Sequence, residues 1–270
     1  MLLRRSLLLG SLLLFSVALL QGCGDPQSKN NVQYGRFVNV LLNVPGNANV
    51  DFSSTKDSVA FNNLSYGGAT DYYQGNYGTS KVSVMARGGS TPLLTQEINL
   101  EQFKKNTVIA TGRIGGTGTL APRIFALTDD FTLNGTAGDV IWVRLVNLSA
   151  DAGAVDIADY DKVLQDPADP SSVISIGGPV AGLTNVTYGN YTAYVPVKAF
   201  LSDPKIPNKP AFDFRLQDNV TGAKYFVNGF NGGLISSPGA YTFLVVGQKS
   251  SVGADQLDVK ILKDDKSFTQ

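Results

Sequence analysis

Val143-Arg144-Leu145-Val146-Asn147 leads through a small-residue turn to Ala154-Val155-Asp156-Ile157. The same pattern stands earlier in the chain, as Val38-Asn39-Val40-Leu41-Leu42 followed by Asn49-Val50-Asp51-Phe52, at a constant offset of 105. Short runs of Val and Leu bounded by Asn, Gly and Ala read as strands. A pattern that returns after a domain-sized interval calls for a search for further repeats. Asn63-Leu64-Ser65-Tyr66-Gly67 with Thr70 and Tyr72 matches Asn185-Val186-Thr187-Tyr188-Gly189 with Thr192 and Tyr194, at an offset of 122. The step from 105 to 122 assigns 17 extra residues to the second copy, within 158–182. Thr107-Val108-Ile109-Ala110-Thr111-Gly112 then matches Thr242-Phe243-Leu244-Val245-Val246-Gly247, and Leu127-Thr128-Asp129-Asp130 matches Leu262-Lys263-Asp264-Asp265. Four blocks in one order with growing offsets read as two copies of one domain.

Each copy reads as all-β. The runs 82–86, 107–111 and 212–216 are rich in Val, Phe, Ile and Thr, and turn signals separate them at the spacing of a sandwich. Gly88-Gly89, Gly115-Gly116, Asn231-Gly232-Gly233 and Pro238-Gly239 offer the positive-φ positions that tight turns need. Only Leu100 to Lys105 leans toward helix. The expected organisation is a leader at 1–22, a tether at 23–33, a first sandwich at 34–131, a linker at 132–139 and a second sandwich at 140–270.

The order of these blocks resembles the bacterial family known as domain of unknown function 4397 (DUF4397). Its members open with an apolar strand, a small-residue turn and a Val-Asp step, as at 143–157. They continue with a Tyr-containing strand and a Gly-Tyr-Thr strand, the latter seen at Gly239-Ala240-Tyr241-Thr242. The first copy departs from the usual Ser-x-Asp-Ala turn, having Pro45-Gly46-Asn47-Ala48. The resemblance implies two tandem immunoglobulin-like sandwiches in an exported protein. It carries no known activity and no catalytic residues.

The first twenty-three residues show how the chain is handled. Arg4 and Arg5 precede an apolar stretch from Leu7 to Leu20, and the segment ends at Leu20-Gln21-Gly22-Cys23. A basic start, an apolar middle and a small-residue end make a secretory signal. Its apolar part, at ~1.5 Å per residue, falls short of a hydrocarbon core ~30 Å thick. Leu20 to Cys23 resembles the lipobox of bacterial lipoproteins. That resemblance implies cleavage before Cys23, acylation of Cys23 and of the new amino terminus, and a membrane as partner. An ordinary signal that happens to carry a cysteine is the alternative. Gly24, rather than aspartate, follows the cysteine. By the same resemblance this favours the outer membrane, on its periplasmic or surface face, in a host with two membranes.

Composition removes several classes of function. The chain holds no histidine, which excludes Ser-His-Asp and Cys-His catalysis and the commonest zinc ligand. Cys23 is the single cysteine, so the body folds without an internal disulfide. Acidic and basic residues balance at 22 each, which leaves no cationic excess for nucleic acid.

Tyr66, Tyr72 and Tyr73 in the first copy and Tyr188, Tyr191 and Tyr194 in the second are the candidates for a ligand surface. Exposed on one face they could stack on sugars or on a protein partner; the alternative is cross-strand packing. Asp151, Asp156, Asp159, Asp161, Asp166 and Asp169 could suit calcium, yet no EF-hand loop frames them, and a solvated acidic loop is the plainer reading. Gly112 to Gly118 lacks the Gly-Lys-Ser/Thr of a phosphate loop and reads as a hairpin tip. Trp142 reads as packing at the domain junction. The expectation is a non-catalytic, membrane-anchored envelope lipoprotein in a structural, protein-contact or glycan-contact role, with no cofactor and no metal. Its alternatives are a carbohydrate-binding module using the tyrosines and a glycosidase using two carboxylates. With Glu97 and Glu101 the only glutamates, such a pair would be mostly aspartate.

Overall fold

The computed structural model describes residues 32–47, 49–56, 59–129, 140–159, 163–166, 169–175, 178–198, 214–225 and 239–264. Cys23, the leader and most of the expected tether and linker lie outside these residues, as does the Asn231-Gly232-Gly233 turn.

The first half pairs two four-stranded sheets. One has the order β4-β1-β7-β8, formed by β1 (Val32–Leu42), β4 (Tyr73–Asn76), β7 (Lys105–Arg113) and β8 (Arg123–Asp129). The other runs β3-β2-β5-β6, from β2 (Val50–Ser54), β3 (Val59–Leu64), β5 (Gly78–Ala86) and β6 (Pro92–Leu100). In the second half the order β14-β9-β16-β17 uses β9 (Val140–Asn147), β14 (Val195–Lys198), β16 (Gly239–Val246) and β17 (Asp258–Lys263). It faces a smaller sheet, β13-β10-β15, of β10 (Val155–Asp159), β13 (Gly178–Pro179) and β15 (Phe214–Asp218). In both halves the first strand lies parallel to a late one, β1 with β7 and β9 with β16, and every other pairing between the described strands is antiparallel.

Each half closes its own core, which makes the fold an all-β sandwich architecture. Phe37 and Leu41 of β1 and Val108 of β7 meet Phe52, Val82, Val84 and Leu100 of the facing sheet. Phe37 stacks on Phe52 with ring centroids 4.8 Å apart. In the second half Val143, Leu145 and Phe243 meet Val155, Ile157, Phe214 and Leu216. A third apolar cluster lies between the halves. Val38, Val40, Ile109 and Leu127 from the outer face of the β1 sheet pack on Val146, Leu148, Leu244, Val246 and Leu262 from the outer face of the β9 sheet. Strand β16 is therefore buried along its whole length. A strand covered on both faces reads as an unbroken apolar run instead of an alternating one, as Phe243 to Val246 does.

Three details correct the sequence reading. Chain entering β1 is already strand at Val32, two residues inside the expected tether. Leu100 to Lys105 is not helical: Leu100 ends β6, Lys105 begins β7, and Phe103 between them has φ 56°, which no right-handed helix contains. The Asn106 amide holds that turn, accepting from the Glu101 N–H at 3.3 Å and donating to the Glu101 and Lys104 carbonyls at 3.3 Å. Gly239 opens β16 rather than a turn. Within the expected 158–182, the second half adds β11 (Val163–Asp166) and β12 (Asp169–Ser175), which among the described residues pair only with each other as a separate ribbon.

The repeat offset also needs adjusting at the first block. Arg36 stands opposite Thr107, and Arg144 opposite Thr242. Asn39 and Asn147 play one part, each accepting from the N–H two residues on, at 3.1 and 3.0 Å. These equivalences put β1 and β9 at an offset of 108, three residues from the 105 of the sequence match. Asp51 and Asp156 keep the offset of 105, each accepting at 2.7 Å from the backbone of Asn63 or Asn185. Those two asparagines have φ of 69° and 56°, a region that asparagine tolerates better than most residues.

Candidate functional site

The polar residues with the closest geometry lie where the two halves meet. Arg36 donates from Nε to Thr107 Oγ1 at 2.8 Å, and Thr107 donates to Asp129 Oδ2 at 2.5 Å. Asp129 also accepts from Arg144 of the other half. Arg144 donates to Thr242 Oγ1 at 2.7 Å, Thr242 donates to Asp264 Oδ2 at 2.6 Å, and Asp264 accepts from Arg36. The six residues close a ring with approximate twofold symmetry. Each arginine leans on the threonine of its own half and reaches the aspartate of the other. The free ends of the guanidiniums bind carbonyls across the same boundary, Arg36 to Lys263 at 2.9 Å and Arg144 to Thr128 at 3.0 Å.

A tyrosine covers each side of the ring. Tyr72 donates to Asp129 at 2.7 Å while the Arg36 guanidinium lies 4.7 Å from its ring centroid. Tyr194 donates to Asp264 at 2.9 Å, with Arg144 at 4.6 Å. All four charged residues are buried. Burial is the largest single influence and works against the charge on Arg36, but Asp264, Tyr72 and Asp129 together outweigh it and hold the guanidinium above its ordinary pKa. Arg144 is raised in the same way, burial opposing and Asp129, Tyr194 and Asp264 together prevailing. Burial first, and the neighbouring aspartate second, push the Tyr72 and Tyr194 hydroxyls well above the usual tyrosine value. Both tyrosines therefore stay protonated and donating at neutral pH.

The six candidate tyrosines do not share one open face. Tyr72 and Tyr194 flank the ring. Tyr73 lies in the first core, stacked on Phe37 at 5.6 Å and tilted against Phe61. Tyr66 packs at the interdomain cluster under Lys260, and Tyr188 donates to the Thr119 carbonyl beneath Arg123, each cation coming from the opposite half. Tyr191 alone of the six is mostly exposed, its ring meeting Phe125 edge-on. Trp142 is half-buried on β9, two residues before Arg144 and so on the face that meets the first half.

Two of the acidic residues, Asp151 and Asp156, serve turns. Asp151 pins the 248–251 loop, accepting from the N–H of Lys249 at 2.7 Å and from the N–H and hydroxyl of Ser250. Burial opposes its charge, yet those donors prevail and lower its pKa. Asp156 holds the Asn185 turn and accepts from Asn219 at 2.9 Å. Asp159, Asp166 and Asp169 fall on β10, β11 and β12, and Asp161 lies outside the described residues. Among the described residues no three His, Cys, Asp or Glu side chains are placed to hold a metal ion. Glu101 accepts from Thr128 at 2.8 Å, and Glu97 stands opposite Lys81 on paired strands. A crevice between the halves, bordered by Val40, Arg113, Leu148, Tyr188 and Gln248, has about 10 Å³ of open space. That is room for about one water molecule.

Sequence reasoning aligned six of these participants, the Asp129/Asp264, Thr107/Thr242 and Tyr72/Tyr194 pairs, and missed the pairing of the arginines. Arg36 precedes the first block that was matched, and the offset of 105 places it against Ile141 instead of Arg144.

Fold and site together define the class: an all-β protein of two sandwiches fastened by a crossed ring of buried charges. Residues 36–158 match the family model described as Domain of unknown function (DUF4397), a span that covers the first sandwich from Arg36 and ends in β10 of the second. No curated protein sequence matches the chain. Among solved structures, a candidate adhesin from Bacteroides ovatus aligns at 11% identity over 85% of this chain and 94% of its own, with a TM-score of 0.20. At that score the likeness bears on neither fold nor role.

Proposed function

We propose that the chain is an exported, lipid-anchored, non-catalytic envelope protein, built from two copies of one DUF4397-type sandwich and serving a structural or contact role. The observation that carries this reading is the ring. The repeated Arg, Asp, Thr and Tyr residues, which could have formed a reactive or sugar-binding site, are turned inward to fix one half against the other. The matching polar contacts at Asn63 and Asn185, Thr70 and Thr192, and Asp129 and Asp264 support a common origin for the halves. The leader and Leu20-Gln21-Gly22-Cys23 support export and acylation at Cys23. Two or three acyl chains, at ~0.8 kcal/mol per buried methylene, hold a protein on a bilayer where one chain does so only marginally.

The test is mass spectrometry of the mature amino terminus, with detergent-phase partitioning of the wild type beside Cys23→Ser. A diacylglyceryl-modified Cys23 and loss of partitioning in the variant are expected. An unmodified terminus that begins elsewhere would refute the anchor.

A further inference from the structure

The strand registers place two exposed aromatic residues beside the point where the chain joins the body. Val32, the first residue of β1, stands opposite Asn76, so Tyr77 follows directly on one side. Tyr34 stands opposite Lys105 on the other side, and its N–H donates to the Lys104 carbonyl at 3.0 Å, so Phe103 is adjacent. Phe103 is 59% exposed and Tyr77 37% exposed. Two lysines attend them. Lys56 donates to the Tyr77 carbonyl with its ammonium 5.8 Å from that ring, and Lys104 is exposed next to Phe103.

Phe103 is unfavourable in two ways where it stands. Its φ of 56° is a left-handed conformation that glycine or asparagine adopts far more readily, and its ring faces water. A lone exposed aromatic would mean little. Here two of them, each with a lysine, bracket the start of β1. Cys23 and Val32 are nine positions apart, at most ~30 Å of extended chain.

We infer that this end of the first sandwich rests on the bilayer, with Phe103 and Tyr77 seated in the headgroup region and Lys56 and Lys104 beside lipid phosphates. The inference rests on the lipid anchor proposed above and adds an orientation to it. Aromatic rings that are apolar on one side and wet on the other settle at membrane interfaces, and lysine stems extend their charge to the headgroups. The strands then stand away from the membrane, and the turns holding Val220 and Val252 form the distal end.

The experiment uses the mature, acylated chain in phosphatidylethanolamine and phosphatidylglycerol vesicles with brominated acyl chains. Phe103→Trp, Tyr77→Trp and Val252→Trp are each made with Trp142→Phe, so that one indole reports. The expected result is a blue shift and loss of emission at positions 103 and 77, with none at 252. If the protein floats with the vesicles but positions 103 and 77 emit as position 252 does, the orientation is wrong and the anchor stands. If the protein does not float with the vesicles, both fall.

Discussion

Thr107 and Thr242 show how much depends on single groups in the ring. Each hydroxyl accepts from the arginine of its own half and donates to the aspartate that the other half's arginine also binds. Thr107→Val keeps the shape and removes both bonds, leaving a buried guanidinium N–H and a carboxylate oxygen each short of a partner. We expect a loss of about 1–3 kcal/mol in denaturant titration. Removing a whole partner is worse. Asp129→Ala leaves Arg144 buried without its counter-charge, at a cost of about 3–5 kcal/mol. Combining it with Arg144→Ala should cost less than the two single losses together, because the stranded charge goes with the second change. Equal and additive losses in that double-mutant cycle would show that the pair does not interact.

Titration gives a second residue-scale prediction. Tyr72 and Tyr194 have folded pKa values raised above the unfolded value of about 10. Their contribution to stability is full below about pH 10 and is lost as pH rises toward the folded values, since the unfolded chain releases those protons first. Absorbance at 295 nm should show these two tyrosines ionising only as circular dichroism reports unfolding. Ionisation of the full tyrosine complement before unfolding would contradict their buried, donating role.

Among the elements, equivalent turns solve equivalent problems. Gly112, next to last in β7, and Gly247, just after β16, have φ of 92° and 80°. A methyl group at either would collide with a backbone carbonyl, that of Ala121 or Gln256. Gly115 also has a positive φ, of 81°, but open space beside it. Gly115→Ala should therefore cost only the left-handed penalty, about 1–2 kcal/mol. Gly112→Ala should cost clearly more, and thermal melts that rank the two alike would argue against the close approach. Strand edges are managed too. The Gln96 amide donates to the Ile124 carbonyl at 3.0 Å and accepts its N–H at 2.9 Å, occupying backbone groups that another chain could otherwise pair with.

The elements also show what the sequence could and could not reveal. The strands were legible because turn residues and apolar runs are local signals, and the repeat because side chains that bind the backbone, such as Thr70 and Thr192, recur at fixed places. The 100–105 turn was misjudged because Leu, Glu, Gln and Lys favour helix locally, whereas the Asn106 amide supplies competing bonds that propensity does not count. The ring was half visible. Aligning two copies sets each residue beside its counterpart, but Arg36 touches the counterpart of Asp129, not its own. A crossed contact of that kind leaves no trace in a comparison of repeats.

At the scale of the molecule, the halves lie side by side pointing the same way. The ring ties them near the starts of β1 and β9, and at the opposite ends Arg113 donates to Gln248 at 3.0 Å. The apolar strip of Val38, Val40, Ile109 and Leu127 against Val146, Leu244 and Leu262 gives the interface its attraction. Buried ion pairs add little net stability over apolar residues of similar size, so the ring's part is to select one register among the many that an apolar strip allows. The body is thus a single unit, with the start of β1 and the Val220 and Val252 loops in fixed relation, which suits the anchored role proposed above.

The most direct test places a protease site within residues 132–139 of the full chain, cleaves it, and measures mass in solution by light scattering. The halves should remain together as one particle of unchanged mass and melt in one transition, with separation appearing only when Asp129→Ala and Asp264→Ala are introduced together. Two particles of half the mass from the cleaved wild type, or two independent transitions, would contradict the account.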